Sequence, residues 1–205
     1  TSEFMRTALY FGSFNPFHAG HAAIARWILT EGGLNRLVLV VSPKNPLKER
    51  ASNITPHERF EHVHEAASRL AEEPELKNRG KKIEVSDIEF SMEEPLYTIK
   101  TLRKFRETEP GVEHILIIGS DNLEIIEKWN SWRDLLDEFE VWVYPRRPGT
   151  CKELNTQHNS ATHNNVAALC AHYGVKLINA PYLDISSTQI RDMELRGEET
   201  RELKY

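Results

Sequence analysis

Thr7-Ala8-Leu9-Tyr10-Phe11 runs into Gly12-Ser13-Phe14-Asn15-Pro16-Phe17-His18-Ala19-Gly20-His21, and the fold is decided by how this stretch is read. The first five residues are a strand-sized run, and Gly12 and Pro16 break it with a loop. From about Gly20 to Thr30, Ile24, Trp27 and Ile28 recur at helical spacing until Gly32-Gly33 ends them. The next run, Arg36 to Val41, is nearly continuously apolar, the mark of a strand covered on both faces.

The same alternation continues outward. Thr55-Pro56-His57-Glu58 is a helix start, with Thr55 as N-cap, Pro56 in the first turn and Glu58 closing a capping box. Phe60, Val63, Ala67 and Leu70 then share one face. A strand near Ile83 to Ile88 and a helix from Thr98 to about Arg106 follow. His114 to Ile118 and Phe139 to Tyr144 are further strands, with short helical pieces around Leu123 and Trp132 between them. His163 to His172 is expected as helix, Val175 to Ile178 as strand, and Ser187 to Leu195 as the last helix. Strands alternating with helices predict an α/β fold: a doubly wound, mostly parallel sheet with helices on both faces. In such sheets ligands sit outside the carboxyl ends of the strands, so loops that directly follow strands are the place to search.

The 205 residues suit one well-buried domain. Thr1 to Phe4 precede Met5 and are read as a cloning remnant, leaving a single domain over 5–205. A formal net charge of -5 argues against a duplex nucleic-acid binder or a basic membrane-surface protein. The two cysteines, Cys151 and Cys170, make neither a disulfide framework nor a four-cysteine zinc site, and are read as incidental thiols. No apolar run approaches the roughly 20 residues of a membrane helix, and the start carries no signal pattern, so a cytoplasmic protein is expected. Arg146 to Asn165 is polar, with Pro148-Gly149, and is expected as a surface loop.

Two stretches carry chemistry. Gly12 ends a strand and lets the backbone turn close to a ligand. His18 and His21 fall on one face of a first helical turn, where free backbone N–H groups favour an anion. Phosphate handling is the reading this supports. Two plain helix-start histidines, or a zinc pair short of further ligands, are the alternatives. In Ile185-Ser186-Ser187-Thr188-Gln189-Ile190-Arg191, a serine N-cap opens a helix and Arg191 lies one turn past Ser187. A guanidinium there suits a triphosphate. A capped helix with a surface arginine is the plainer alternative.

The first loop resembles the signature of the HxGH-type nucleotidyltransferase superfamily, whose members have a Rossmann-like fold. Its form, Gly-Ser-Phe-Asn-Pro-x-His-x-Gly-His, is similar to that of bacterial-type nicotinate mononucleotide adenylyltransferases. Ile185 to Arg191 is similar to the family's second motif. Weaker matches lie between them: Ser42-Pro43-Lys44-Asn45-Pro46-Leu47-Lys48, Leu96-Tyr97-Thr98, Ile118-Gly119-Ser120-Asp121, Trp129 and Arg146-Arg147-Pro148-Gly149. The match is poorest from Gly149 to Ala180, and such proteins usually continue past the position of Tyr205 into a final helix.

The resemblance implies transfer of the AMP part of ATP to nicotinate mononucleotide, giving nicotinate adenine dinucleotide and pyrophosphate. It implies that His18 and His21 are the catalytic pair on the α- and β-phosphates. Gly12, Ser13 and Phe14 join them on ATP, and Ser187, Thr188 and Arg191 hold its outer phosphates. Mg²⁺ is expected to arrive on ATP, with no protein metal site. Lys48 with Lys44 is implied at the acceptor phosphate, Trp129 at the pyridine ring and Tyr97 and Thr98 at the nicotinate carboxylate. Asp121 is implied at a ribose, with Asn15 also on the acceptor side. Nicotinamide mononucleotide or phosphopantetheine is the alternative acceptor, and a non-catalytic nucleotide-binding module the alternative class. The expected partners are these small molecules, not nucleic acid or membrane, and assembly into a homo-oligomer stays open.

Overall fold

The computed structural model describes residues 5–43, 54–146 and 159–205, except for the side chains of residues 159–164. Lys44, Lys48, Arg147 to Gly149 and Cys151 therefore lie outside the described residues, as does most of the polar loop.

The chain opens with β1 (Met5–Gly12), α1 (Ala19–Leu29) and β2 (Arg36–Val41). Next come α2 (Pro56–Ala71), the one-turn α3 (Pro74–Lys77) and β3 (Lys82–Ser86). A 3₁₀ turn over Ile88–Ser91 leads to α4 (Thr98–Thr108) and β4 (Val112–Gly119). The short α5 (Ser120–Leu123), a 3₁₀ turn at Ile126–Lys128 and α6 (Trp132–Glu138) bring the chain to β5 (Glu140–Tyr144). It finishes with α7 (Asn159–Tyr173), β6 (Lys176–Leu177) and α8 (Ser187–Leu195). Among the described residues six strands pair in the order β3-β2-β1-β4-β5-β6, each parallel to its neighbours.

Period-two alternation explains why both faces need cover. Ala8, Tyr10, Leu37, Leu39, Ile115, Ile117 and Trp142 join the layer with α1 and α2 residues such as Ile28 and Val63. Leu9, Val38, Val40, Leu116, Ile118, Val141 and Val143 join the opposite layer with Ile99, Leu102 and Phe105 of α4 and Leu135 of α6. Helices on both faces and a single doubly wound sheet are as the sequence predicts. Thr55 caps α2, and its side chain accepts from the Glu58 N–H while Glu58 accepts from the Thr55 N–H. The third strand ends at Ser86 rather than Ile88, because the chain turns there into the 3₁₀ segment.

With β1 and β4 central, the chain runs from β1 to one side and from β4 to the other. A crevice opens between them at the carboxyl ends, where the strand order reverses, and the Gly12 loop leads out of it.

Candidate active site

Phe14 shapes the loop after β1. Its φ of 45° lies in the left-handed region, unusual for a bulky residue, and its ring is 2% exposed. The ring meets Tyr10 and His21 edge to face, with centroids 5.5 and 5.0 Å away. A Cβ on Gly12 would lie 2.8 Å from this ring. Glycine at position 12 thus makes room for the Phe14 ring within the protein.

His18 is the N-cap of α1 and His21 its third residue. The Gly20 N–H donates to His18 Nδ1 at 3.1 Å, and the His18 N–H donates to His21 Nδ1 at 3.2 Å. This is a capping box built from two imidazoles, which stack with centroids 3.7 Å apart. Gly20 permits it, since a Cβ there would press against the His18 ring at 3.0 Å. The Ala19 N–H is taken as well, by the Leu203 carbonyl at 3.0 Å. The backbone donors of this helix start are therefore already engaged, contrary to the free N–H groups expected from sequence. Because each Nδ1 accepts a hydrogen bond, the neutral rings carry their proton on Nε2.

His18 is 4% exposed, and burial together with the positive charge of Arg146 lowers its pKa from 6.5 to about 4. The native ring is thus neutral near pH 7. As pH falls below 6.5 the unfolded chain takes up this proton before the folded one does, so stability is whole above that pH and drains away toward pH 4. The loss is on the order of 3 kcal/mol. In His18→Asn, which keeps a capping oxygen, Tm measured between pH 7 and 4.5 is expected to fall less steeply than in the wild type. Parallel curves would show that His18 does not supply this term.

The second motif lies against the first. Ser186, not Ser187, is the N-cap of α8: its hydroxyl accepts from the Gln189 N–H, and Gln189 accepts from the Ser186 N–H. That frees the Ser187 hydroxyl, which donates to the Pro16 carbonyl at 3.0 Å. Arg191 donates to the Asn15 carbonyl and, at 3.2 Å, to Thr188 Oγ1. Residues far apart in the chain, Asn15 and Pro16 on one side and Ser187, Thr188 and Arg191 on the other, thus meet beside the two histidines.

A strap from the end of the sequence completes this corner. Lys204 bridges His18 in antiparallel fashion, and the Tyr205 N–H donates to the Phe17 carbonyl at 3.3 Å. The Tyr205 hydroxyl donates to Glu73, which Arg26 of α1 also grips at 2.7 Å. Arg69 of α2 donates to the Tyr205 carbonyl at 2.8 Å.

Across the crevice, Asp121 lies two residues past the end of β4, and its Oδ1 is buried without a hydrogen-bond partner among the described residues. Its Oδ2 lies 3.5 Å from Arg146 Nη1. Arg146 is held by its backbone, which exchanges 2.8 Å hydrogen bonds with Ser120 Oγ. Tyr10 donates to Tyr144 at 3.4 Å, and burial raises both phenols above their usual range. Arg146, in sequence one of the weaker family matches with no role attached, lies at the site through Asp121 and its influence on His18. Tyr97 is the N-cap of α4 and makes no side-chain cap, so Thr98 begins a helix whose start is left open. Tyr97 and Trp129 are both half-buried against the α4 layer rather than the histidine layer. Among the described residues no three His, Cys, Asp or Glu gather to hold a metal, and no helix is long and apolar enough to cross a membrane.

Comparison with known proteins places the chain in a family. The cytidylyltransferase-like family model matches residues 9–193. A Flavobacterium johnsoniae protein named "Probable nicotinate-nucleotide adenylyltransferase" is 34% identical over 97% of this chain and 91% of its own. A protein of the same name from Flavobacterium psychrophilum is 35% identical over 92% of this chain and 86% of its own. Among solved structures, the nicotinic acid mononucleotide adenylyltransferase of Plasmodium falciparum, complexed with NaAD, superposes with a TM-score of 0.71. At 20% identity over 96% of this chain and 87% of that one, this likeness is one of fold.

Proposed function

The chain belongs to the cytidylyltransferase-like family and, within it, to the nicotinate-nucleotide adenylyltransferases, and from that premise we propose that it transfers AMP from ATP to nicotinate mononucleotide. The products are nicotinate adenine dinucleotide and pyrophosphate, a step toward NAD. One observation carries the reading at the level of residues: Ser187 and Arg191 bond the carbonyls of Pro16 and Asn15, so both motifs converge on the stacked histidines.

The acceptor phosphate attacks the α-phosphorus in line with departing pyrophosphate. Its second pKa is about 6, so it is largely ionised at neutral pH and no general base is required. Positioning and charge stabilisation do the rest. His18 and His21, neutral and proton-bearing at Nε2, donate to the phosphate oxygens on which charge grows. Arg191 holds the outer phosphates with Ser187 and Thr188, and Ser13 lies in the same loop. Arg146 adds a cation on the far side, beside Asp121. Mg²⁺ enters on the triphosphate, which suits an ion that keeps its waters and asks few protein ligands. Lys44 and Lys48 serve the acceptor phosphate and Trp129 the pyridine ring, in a cytoplasmic enzyme.

The open start of α4 supports the choice of acceptor. Backbone N–H groups at a positive helix end favour a carboxylate, and a carboxamide NH₂ turned toward them finds no acceptor. A carboxamide can present its oxygen instead, which narrows the gap. kcat/KM for nicotinate mononucleotide is therefore expected to exceed that for nicotinamide mononucleotide by at least about tenfold (roughly 1.4 kcal/mol). A pyrophosphate-release assay with both nucleotides and phosphopantetheine, at saturating Mg-ATP, tests this directly. Equal values for the two mononucleotides would remove the carboxylate reading, and no turnover with any acceptor would remove the enzyme.

A further inference from the structure

Arg59 sits on the apolar stripe of α2, one turn before Val63, and is only 7% exposed. Burial lowers its pKa, and among the described residues no carboxylate pairs with it. Its donors go to three backbone carbonyls: Ser13 at 3.0 Å, Ser42 at 2.7 Å and Pro43 at 3.0 Å. Ser13 belongs to the loop after β1, and Ser42 and Pro43 to the loop after β2. From Ser42 the line continues: its side chain acts on the carboxyl of Glu89, a residue 5% exposed, and Thr101 Oγ1 of α4 donates to Glu89 at 2.8 Å. A buried polar line thus crosses the carboxyl end of the sheet from the histidine loop to the helix that begins at Thr98.

A buried guanidinium without a counter-ion is costly, and an apolar side chain would fill this stripe as well. What an apolar side chain cannot do is tie two loops together with one rigid fork. We infer that Arg59 is a positioning residue for phosphoryl attack, fixing the spacing between the loop that holds ATP and the loop that leads to the acceptor phosphate, with Ser42, Glu89 and Thr101 extending that register to the α4 end. The inference rests on the adenylyl-transfer reading, in which the reacting phosphates approach from these two loops. In-line transfer needs the reacting atoms within roughly 3–3.5 Å, and a displacement of about 1 Å costs about 100-fold.

The test is steady-state kinetics of the full chain, varying each substrate at saturation of the other. Folded Arg59→Met is expected to lose about 100-fold in kcat, with both KM values close to wild type, because each loop still binds its own substrate. Arg59→Lys is expected to recover only part, since one ammonium cannot span both loops. Wild-type kcat in Arg59→Met, or a loss confined to KM or to Tm, would overturn the inference. If Arg59→Met does not fold, Arg59→Lys and Ser42→Ala decide it: both act on one register, so their kcat losses are expected to combine to less than the product. Fully independent losses, or none, would overturn it. Turnover by the wild type separates this failure from failure of the functional reading, since a wild type inert toward every acceptor removes both.

Discussion

In His18→Asn and in His21→Ala, kcat is expected to fall by at least about 100-fold, the usual consequence of removing a preorganised donor to a developing oxyanion. The asparagine oxygen keeps the hydrogen bond that His18 Nδ1 makes to the Gly20 N–H, so α1 stays capped while the Nε2–H disappears. His21→Ala instead removes the acceptor for the His18 N–H, at a stability cost of about 1 kcal/mol, and its donor with it. Since the two rings stack at 3.7 Å and act on one group, the double variant is expected to be only slightly slower than the worse single one. Quench-flow measurement of dinucleotide formation, alongside thermal melts, separates chemistry from folding. A kcat within a few-fold of wild type in both folded variants would end the assignment.

Arg191→Ala is expected to raise KM for ATP by roughly ten- to a hundredfold, the worth of a hydrogen bond to a charged group. KM for the acceptor is expected to move far less. The structure adds a reason for Arg191→Lys to rescue poorly: the guanidinium bonds both the Asn15 carbonyl and Thr188 Oγ1, and an ammonium lacks the planar fork to keep both. Equal rises in both KM values would assign Arg191 to holding the Asn15 loop and not to the triphosphate.

Where local chemistry decides an element, the sequence was enough. Arg36 to Val41 is a strand with the expected bounds, and the Thr55–Glu58 box opens α2 as its residues require. The last helix, Ser187 to Leu195, likewise has the expected bounds, opened by a serine cap. Contacts between distant segments were harder to read. No local pattern says that Leu203 would take the Ala19 N–H, so the helix start looked open when it is closed. Arg59 did leave a trace, a charged residue on an otherwise apolar stripe, but its three carbonyl partners belong to other loops. Arg146 reaches the site through Asp121 and His18, which the sheet order alone brings near.

The pairing of Lys204 with His18 bears on how the protein is made. The ribosome releases the histidine loop well before the strap that fastens it. At ~5–20 residues per second the loop waits roughly ten seconds or more for the strands of backbone that fasten it. Until then the Ala19 N–H and the Phe17 carbonyl lack the partners they have in the finished fold. The corner around the two histidines therefore cannot set until the strap has been made. Nucleotide can therefore stabilise the released protein by mass action but gives no such help to the nascent chain.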